Sequence, residues 1–176
     1  MQLATFAVPE IDQSGMGSVN KSREEKGVNE QFPIIVAEDN ESDAKLLNRA
    51  LREVGFNNPV HVSKNGQDVI NYLKGEAPYQ DRARYKFPRV LFIDLQMPVL
   101  DGFQLLEWLK NHDACNVIPR IVLSASRQQE HVQRAYRLGV NSYIFKPPTF
   151  DGLVERLQMV IDYWSMCEMP MLPPKC

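Results

Sequence analysis

Reactive side chains follow several short apolar runs of this sequence, where the strands of a parallel sheet would end. Glu38 and Asp39 follow the first such run, and Asp94 follows another. Ser124 and Lys146 follow two more. A carboxylate placed in this way can attack phosphorus and form an aspartyl phosphate. That transfer needs positioning and charge neutralisation more than covalent help, and the lysine, the hydroxyl and a bound cation could supply both.

Asp94 ends the most informative of these runs. Residues 90–93 are apolar without interruption, and two of the four are β-branched, which is typical of a central strand buried on both faces of a parallel sheet. An acid that closes such a strand faces the ligand crevice at the carboxyl edge of the sheet. The alternative is that Asp94 is only a strand-ending turn residue, since Asp is favoured in turns.

The acids at two strand ends predict a metal site. Glu38, Asp39 and Asp94 would repel one another if packed together, and one carboxyl would be pushed toward protonation. A divalent cation removes that repulsion, and hard oxygen ligands favour Mg²⁺, which also binds phosphate oxygens. Taken singly, the first two acids could cap a helix, Ser124 could be a turn residue and Lys146 a solvated end. Their coincidence at four strand ends favours one shared site.

Apolar runs and helical patterns alternate from residue 33 onward. The predicted strands are 34–37, 59–62, 90–93, 118–123 and 142–145, and the predicted helices are 40–54, 66–73, one starting at 101, 127–138 and 149–164. Five βα units predict an α/β fold, a flavodoxin-like doubly wound five-stranded parallel sheet in the order 2-1-3-4-5 with helices on both faces. Leu46 and Tyr136 are among the residues expected to face the core.

Length and composition narrow the function classes. The chain has 176 residues, about one domain, and a formal net charge of −2, which argues against a nucleic-acid binder. No run reaches the roughly 18 apolar residues of a membrane span, no signal peptide starts the chain, and no Gly-rich phosphate loop follows the first strand. Three scattered cysteines indicate no disulfide framework, so we expect a cytoplasmic protein.

The two ends of the chain differ from the alternating region, which we assign to a domain over 32–164. Residues 1–31 are polar and aperiodic, and predict a flexible extension, or alternatively a partner-binding arm. Residues 165–176 are rich in Met and Pro and predict an irregular tail. The long polar stretch 75–88 is either a functional loop or a solvated surface loop.

Several short motifs together resemble those of response-regulator receiver domains of the chemotaxis (CheY-like) type. The resemblance covers about residues 33–164. The matching motifs are Val36-Ala37-Glu38-Asp39-Asn40, Phe92-Ile93-Asp94, Met97-Pro98, Asp101-Gly102, Leu123-Ser124-Ala125 and Lys146-Pro147.

The resemblance implies a role for each residue of the predicted crevice. Asp94 would be the phosphoacceptor, and Lys146 would contact the phosphoryl group. Mg²⁺ would be held by Glu38, Asp39, Asp94 and the backbone carbonyl of Gln96. The protein would be a signalling phosphoacceptor that catalyses only its own phosphorylation and dephosphorylation.

The resemblance also implies a conformational switch. Ser124 would be the switch hydroxyl, in a position where Thr is commoner, and Tyr143 would be the switch aromatic residue. The Lys146–Pro147 bond is typically cis in the family, and here a second proline, Pro148, follows it.

Partners follow from the same resemblance. Loop 75–88 and the last helix, with Tyr163 and Trp164, resemble single-domain regulators paired with bacterial phytochrome kinases. We therefore expect a sensor histidine kinase as phosphoryl donor. Because no output domain is expected after Trp164, the signal would pass to a downstream protein target or a phosphotransfer protein. We expect a homodimer through the face around the fifth strand.

Two other functions compete with a phosphorylation-controlled switch. A haloacid-dehalogenase-type hydrolase also uses an aspartyl phosphate but needs an acid two residues after the nucleophile, where this chain has Gln96. A phosphorylation-independent interaction module would be expected to lack one of the acidic residues or the lysine, and this chain keeps all of them.

Overall fold

The computed structural model describes residues 33–168. Its strands are β1 (Ile34–Ala37), β2 (Val60–Ser63), β3 (Val90–Ile93), β4 (Arg120–Ser124) and β5 (Ser142–Phe145). Its helices are α1 (Glu41–Glu53), α2 (Gly66–Lys74), α3 (Gly102–Lys110), α4 (Asp113–Asn116), α5 (Gln129–Arg137) and α6 (Phe150–Met166). The predicted extension 1–31 and the tail from 169 lie outside the described residues.

The strands form one parallel sheet in the order β2-β1-β3-β4-β5, which confirms the predicted fold. Ala37 of β1 pairs with Ile93 of β3, and Ser124 of β4 pairs with Phe145 of β5. Because all five strands run the same way, the residues that follow them reach one edge of the sheet together. The register therefore brings four separate sequence motifs to one crevice.

The central strand β3 is buried on both faces. Leu91 and Ile93 pack in the cluster that includes α2 and α3, whereas Val90 and Phe92 pack in the cluster that includes α1 and α6. All four are at most 6% exposed. This confirms that continuous apolarity marks a strand covered by helices on both sides.

Helices α1 and α5 bury fewer residues than predicted. Tyr136 is 51% exposed and Leu46 is 44% exposed, so the expectation that both face the core was wrong. On α1 the neighbouring Leu47 points into the sheet, and a helical turn of about 100° per residue carries Leu46 to the flank. On α5, which covers the edge strand β5, Ala135 is the buried residue.

Four smaller features differ from the predictions. The short helix α4 was not predicted, and β4 starts two residues later than expected, after the buried Ile118. Helix α6 continues through Met166, into the segment predicted to be irregular. Cys115 in α4 is buried and disulfide-bonded, against the expectation drawn from the cysteine count, whereas Cys167 is free.

The long loop between α2 and β3 is anchored by aromatic side chains. Tyr79 packs on Tyr72 of α2 with ring centroids 5.0 Å apart and on His61 of β2 at 5.2 Å. Its hydroxyl donates to Asp68 Oδ1 at 2.7 Å. Arg82 donates to the carbonyl of Tyr72 at 2.8 Å. These contacts favour a fixed surface element over a loosely solvated loop.

No helix within 33–168 is long and apolar enough to cross a membrane.

Candidate phosphoacceptor site

Three carboxylates meet at the carboxyl ends of β1 and β3. Glu38 and Asp39 directly follow β1, and Asp94 directly follows β3. The Asp94 backbone N–H donates to the carbonyl of Ala37 at 2.9 Å, so the ladder between the strands continues to the acid itself. One oxygen from each of the three carboxylates lies within 4.8 Å of the others. The structure therefore brings together the three acids that the sequence predicted as a metal site.

The backbone around Asp94 fixes its carboxylate. Asp94 Oδ1 accepts a hydrogen bond from the Leu95 N–H at 2.8 Å, and the Gln96 N–H also bonds to this carboxylate. The start of α3 packs directly on the same segment, because a Cβ at Gly102 would overlap the Asp94 carbonyl oxygen. Any larger residue at position 102 would displace the acid or the helix. The side chain of Asp94 is left 11% exposed.

Lys146 reaches into the crevice from the end of β5. Its backbone N–H donates to the Ser124 carbonyl at 2.8 Å, which holds the residue beside β4. Its Nζ donates to Glu38 Oε2 at 2.6 Å and to Asp43 Oδ2 at 3.0 Å, and lies 3.7 Å from Asp94 Oδ2. One ammonium group is thus shared by three carboxylates, and the lysine side chain is only 18% exposed.

The electrostatics of the crevice favour a further cation. Burial raises the pKa of Glu38 and of Asp94, and the Lys146 charge offsets that effect only in part. Burial alone would lower the pKa of Lys146, but its bond to Glu38 and the charges of Asp94 and Glu38 raise it. Asp39 is exposed, so a partly hydrated ion can approach the carboxylates from solvent. An all-oxygen donor set with an open side suits Mg²⁺.

The two predicted switch residues, Ser124 and Tyr143, both bond to Ser126 in the loop after β4. Ser124 is buried, and its Oγ accepts from the Ser126 N–H at 3.2 Å. Tyr143 is half-buried, and its hydroxyl donates to the Ser126 carbonyl at 2.9 Å. Ser126 Oγ is also 2.8 Å from His131 Nδ1 on α5. The loop after β4 therefore connects the hydroxyl, the aromatic residue and helix α5 through one serine.

Sequence reasoning missed Ser126, His131 and Asp43. The first two act through the loop, and nothing in the local pattern distinguished them from surface residues. Asp43 was interpreted only as an acid in the first turn of a helix. Asp43 lies three residues after the N-cap Asn40, in a helix that starts soon after Glu38 and Asp39, and this closeness to the end of β1 could have linked it to the crevice.

The isomer of the Lys146–Pro147 bond differs from the expectation. The bond is trans, and the cis peptide bond within the described residues is Ala77–Pro78. The expectation of a cis bond was therefore wrong for this chain. A trans X-Pro bond is the intrinsically preferred form by about 0.5–1 kcal/mol.

Known proteins with this sequence pattern and architecture are signalling receivers. The response regulator receiver domain family matches residues 34–158. A probable methanogenesis regulatory protein, FilR2 of Methanothrix harundinacea, is 31% identical over 133 residues, which are 76% of this chain and 83% of that protein.

Solved structures agree with the family match. The phosphorylated cyanobacterial phytochrome response regulator RcpA has a TM-score of 0.73 and 27% identity, and a response regulator in red light signaling of R. palustris has a TM-score of 0.76 and 26% identity. Each alignment covers 80% of this chain and 99% of the other. The chain belongs to the response regulator receiver domain family and is a phosphoacceptor of two-component signalling.

Proposed function

We propose that this protein is a single-domain response regulator that takes a phosphoryl group from the phosphohistidine of a sensor histidine kinase onto Asp94. The observation that carries the proposal is the position of the Asp94 carboxylate. It ends the central strand, with Glu38 and Asp39 on one side and Lys146 Nζ 3.7 Å from its Oδ2. Of the three clustered acids, Asp94 alone ends the central strand and accepts hydrogen bonds from the N–H groups of Leu95 and Gln96.

The transfer requires little covalent help from the protein. An oxygen of Asp94 forms a bond to phosphorus while the bond from phosphorus to the histidine nitrogen breaks, and the electron pair returns to the imidazole. The protein supplies orientation, through the two backbone N–H groups on the Asp94 carboxylate, and positive charge, through Lys146. A Mg²⁺ ion on Glu38, Asp39, Asp94 and the Gln96 carbonyl would neutralise the phosphoryl oxygens.

Phosphorylation would be read by Ser124 and Tyr143. A phosphoryl group adds strong acceptor oxygens to which the Ser124 hydroxyl can donate. Movement of Ser124 would break its contact with Ser126, whose carbonyl also holds the Tyr143 hydroxyl. The loop after β4 and the Tyr143 side chain then form the bistable element that the added charge biases.

Partners are proposed from surfaces near the crevice. The kinase, of phytochrome type by analogy with the similar cyanobacterial phytochrome response regulator, would dock on α1. There the exposed Leu46 borders a pocket of about 270 Å³ that Glu38, Asp43 and Lys146 also line. Output would pass to a downstream protein target or a phosphotransfer protein. We propose a cytoplasmic location for the protein.

A homodimer is proposed through the face formed by α5, β5 and the start of α6. Strand β5 is an edge strand, and such edges are normally paired or covered. Here the cover is thin: the Tyr143 N–H donates to the Tyr136 hydroxyl at 3.3 Å, and Tyr136 is 51% exposed. A second copy would cover the exposed Tyr136 ring and the edge strand β5 beside the switch residue.

The first prediction concerns the phosphoacceptor. Acetyl phosphate with Mg²⁺ should add one phosphoryl group to the unsubstituted chain, detectable by intact mass, and Asp94→Asn should abolish the addition. Asp101→Asn is the matched control, because it replaces another Asp by Asn in the same loop between β3 and α3. Asn caps a helix as well as Asp does, so α3 should keep its N-cap. Undiminished labelling of Asp94→Asn would refute the assignment.

The second prediction concerns the metal. Asp39→Asn should weaken binding of Mg²⁺ or Mn²⁺ by at least about tenfold, the scale seen when metal-site partners are lost, as measured by calorimetry. Glu41→Gln should bind normally, since Glu41 is exposed and pairs with Lys45 at 2.9 Å. Excess EDTA should stop labelling of Asp94, and full labelling in chelator would contradict the proposal.

The third prediction concerns assembly. Analytical ultracentrifugation should show a dimer that beryllofluoride tightens. Tyr136→Glu should shift the chain to monomer, whereas Val62→Glu, on the opposite edge strand β2, should leave the dimer intact. A monomer at high micromolar concentration with and without beryllofluoride would rule out this assembly.

A further inference from the structure

The carboxylate of Asp43 is a partner of Lys146 that the phosphoryl chemistry does not require. Lys146 Nζ donates to Asp43 Oδ2 at 3.0 Å, a hydrogen-bonding distance, but lies 3.7 Å from Asp94 Oδ2, beyond that distance. In this state the ammonium is therefore bonded to Glu38 and Asp43, and it only faces the acid that would carry the phosphoryl group.

The backbone of Asp43 is fixed by the start of helix α1. The Asn40 side chain caps the helix by accepting from the N–H groups of Ser42 and Asp43 at 2.9 and 3.1 Å, so the first turn is well defined. Asp43 is 42% exposed and is not among the three acids that could bind a metal together. Its interaction with the crevice runs through Lys146.

We infer that Asp43 is a positioning residue that competes with the phosphoryl group on Asp94 for the Lys146 ammonium. The inference rests on the proposed function. A cation on the three clustered acids would weaken the hold of Glu38 on the lysine, and Asp43 is then the partner that draws Nζ away from Asp94. Phosphorylation transfers Lys146 from Asp43 to the phosphoryl oxygens and leaves the Asp43 carboxylate without the lysine on the first turn of α1, the helix on which the kinase is proposed to dock.

Beryllofluoride, which mimics the phosphoryl group on an aspartate, tests the competition without a kinase. Its affinity is measured by ¹⁹F NMR at saturating Mg²⁺ for the unsubstituted chain, Asp43→Asn and Asp43→Ala. Removing the competitor should tighten binding about two- to fivefold, the range for one partly exposed ion pair. Asp43→Ala should gain more than Asp43→Asn, because a neutral amide oxygen still accepts a weaker bond from the lysine.

The matched control is Glu41→Gln. It removes an equal charge from the same helical turn, but its carboxylate pairs with Lys45 and not with Lys146. Its affinity for beryllofluoride should equal that of the unsubstituted chain. Equal gains in Glu41→Gln and the Asp43 variants would show a general charge effect and overturn the inference. Weaker or unchanged binding in the Asp43 variants would overturn it as well, since Asp43 would then support Lys146 instead of competing for it.

A crystal structure of the unsubstituted chain with Mg²⁺ and beryllofluoride provides a second test that does not depend on the variants folding. Lys146 Nζ should contact a fluorine and lie beyond hydrogen-bonding distance of Asp43. A lysine that keeps its bond to Asp43 while contacting the fluorine would refute the competition. Failure of the unsubstituted chain to bind beryllofluoride would refute the proposed function itself, and the inference with it.

Discussion

The sharing of one ammonium group among buried carboxylates is the interaction on which the rest of this site depends. Lys146 bonds to Glu38 at 2.6 Å and faces Asp94 at 3.7 Å, yet burial still raises the pKa of both acids. A single buried cation therefore leaves the crevice short of positive charge. This shortage favours the proposed binding of a divalent cation together with a phosphoryl group, because each would offset the charge of the other.

The fold makes this concentration of charge possible. Parallel strands in the order β2-β1-β3-β4-β5 bring the ends of β1, β3, β4 and β5 to one edge, with Ser124 and Lys146 near the acids. Gly102 lets α3 approach the Asp94 backbone directly. The apolar core packs on both faces of β3 and fixes the strand that carries Asp94. Strand β5, which leads to Lys146, is only half-buried.

Much of this arrangement was predictable from the sequence. Uninterrupted apolar runs that end in Asp94, Glu38 and Lys146 identified the strands and their shared edge, since strand burial and chain order both have strong sequence signals. Contacts between side chains of distant segments have no such signal in the sequence and could not be predicted. The bond between Asp43 and Lys146 joins residues 103 positions apart, and it depends on the angle at which α1 leaves the sheet. The exposure of Tyr136 likewise follows from how thinly α5 covers the edge.

The most direct measurement of the central claim is a pH titration of the Glu38 and Asp94 side-chain carboxyl carbons by ¹³C NMR in the metal-free protein. Each carboxyl should titrate above the ordinary range of its residue type, because burial disfavours the charged form more than Lys146 restores it. Saturating Mg²⁺ should lower both values. Carboxyls that titrate at or below the ordinary range without metal, and do not respond to Mg²⁺, would contradict the account.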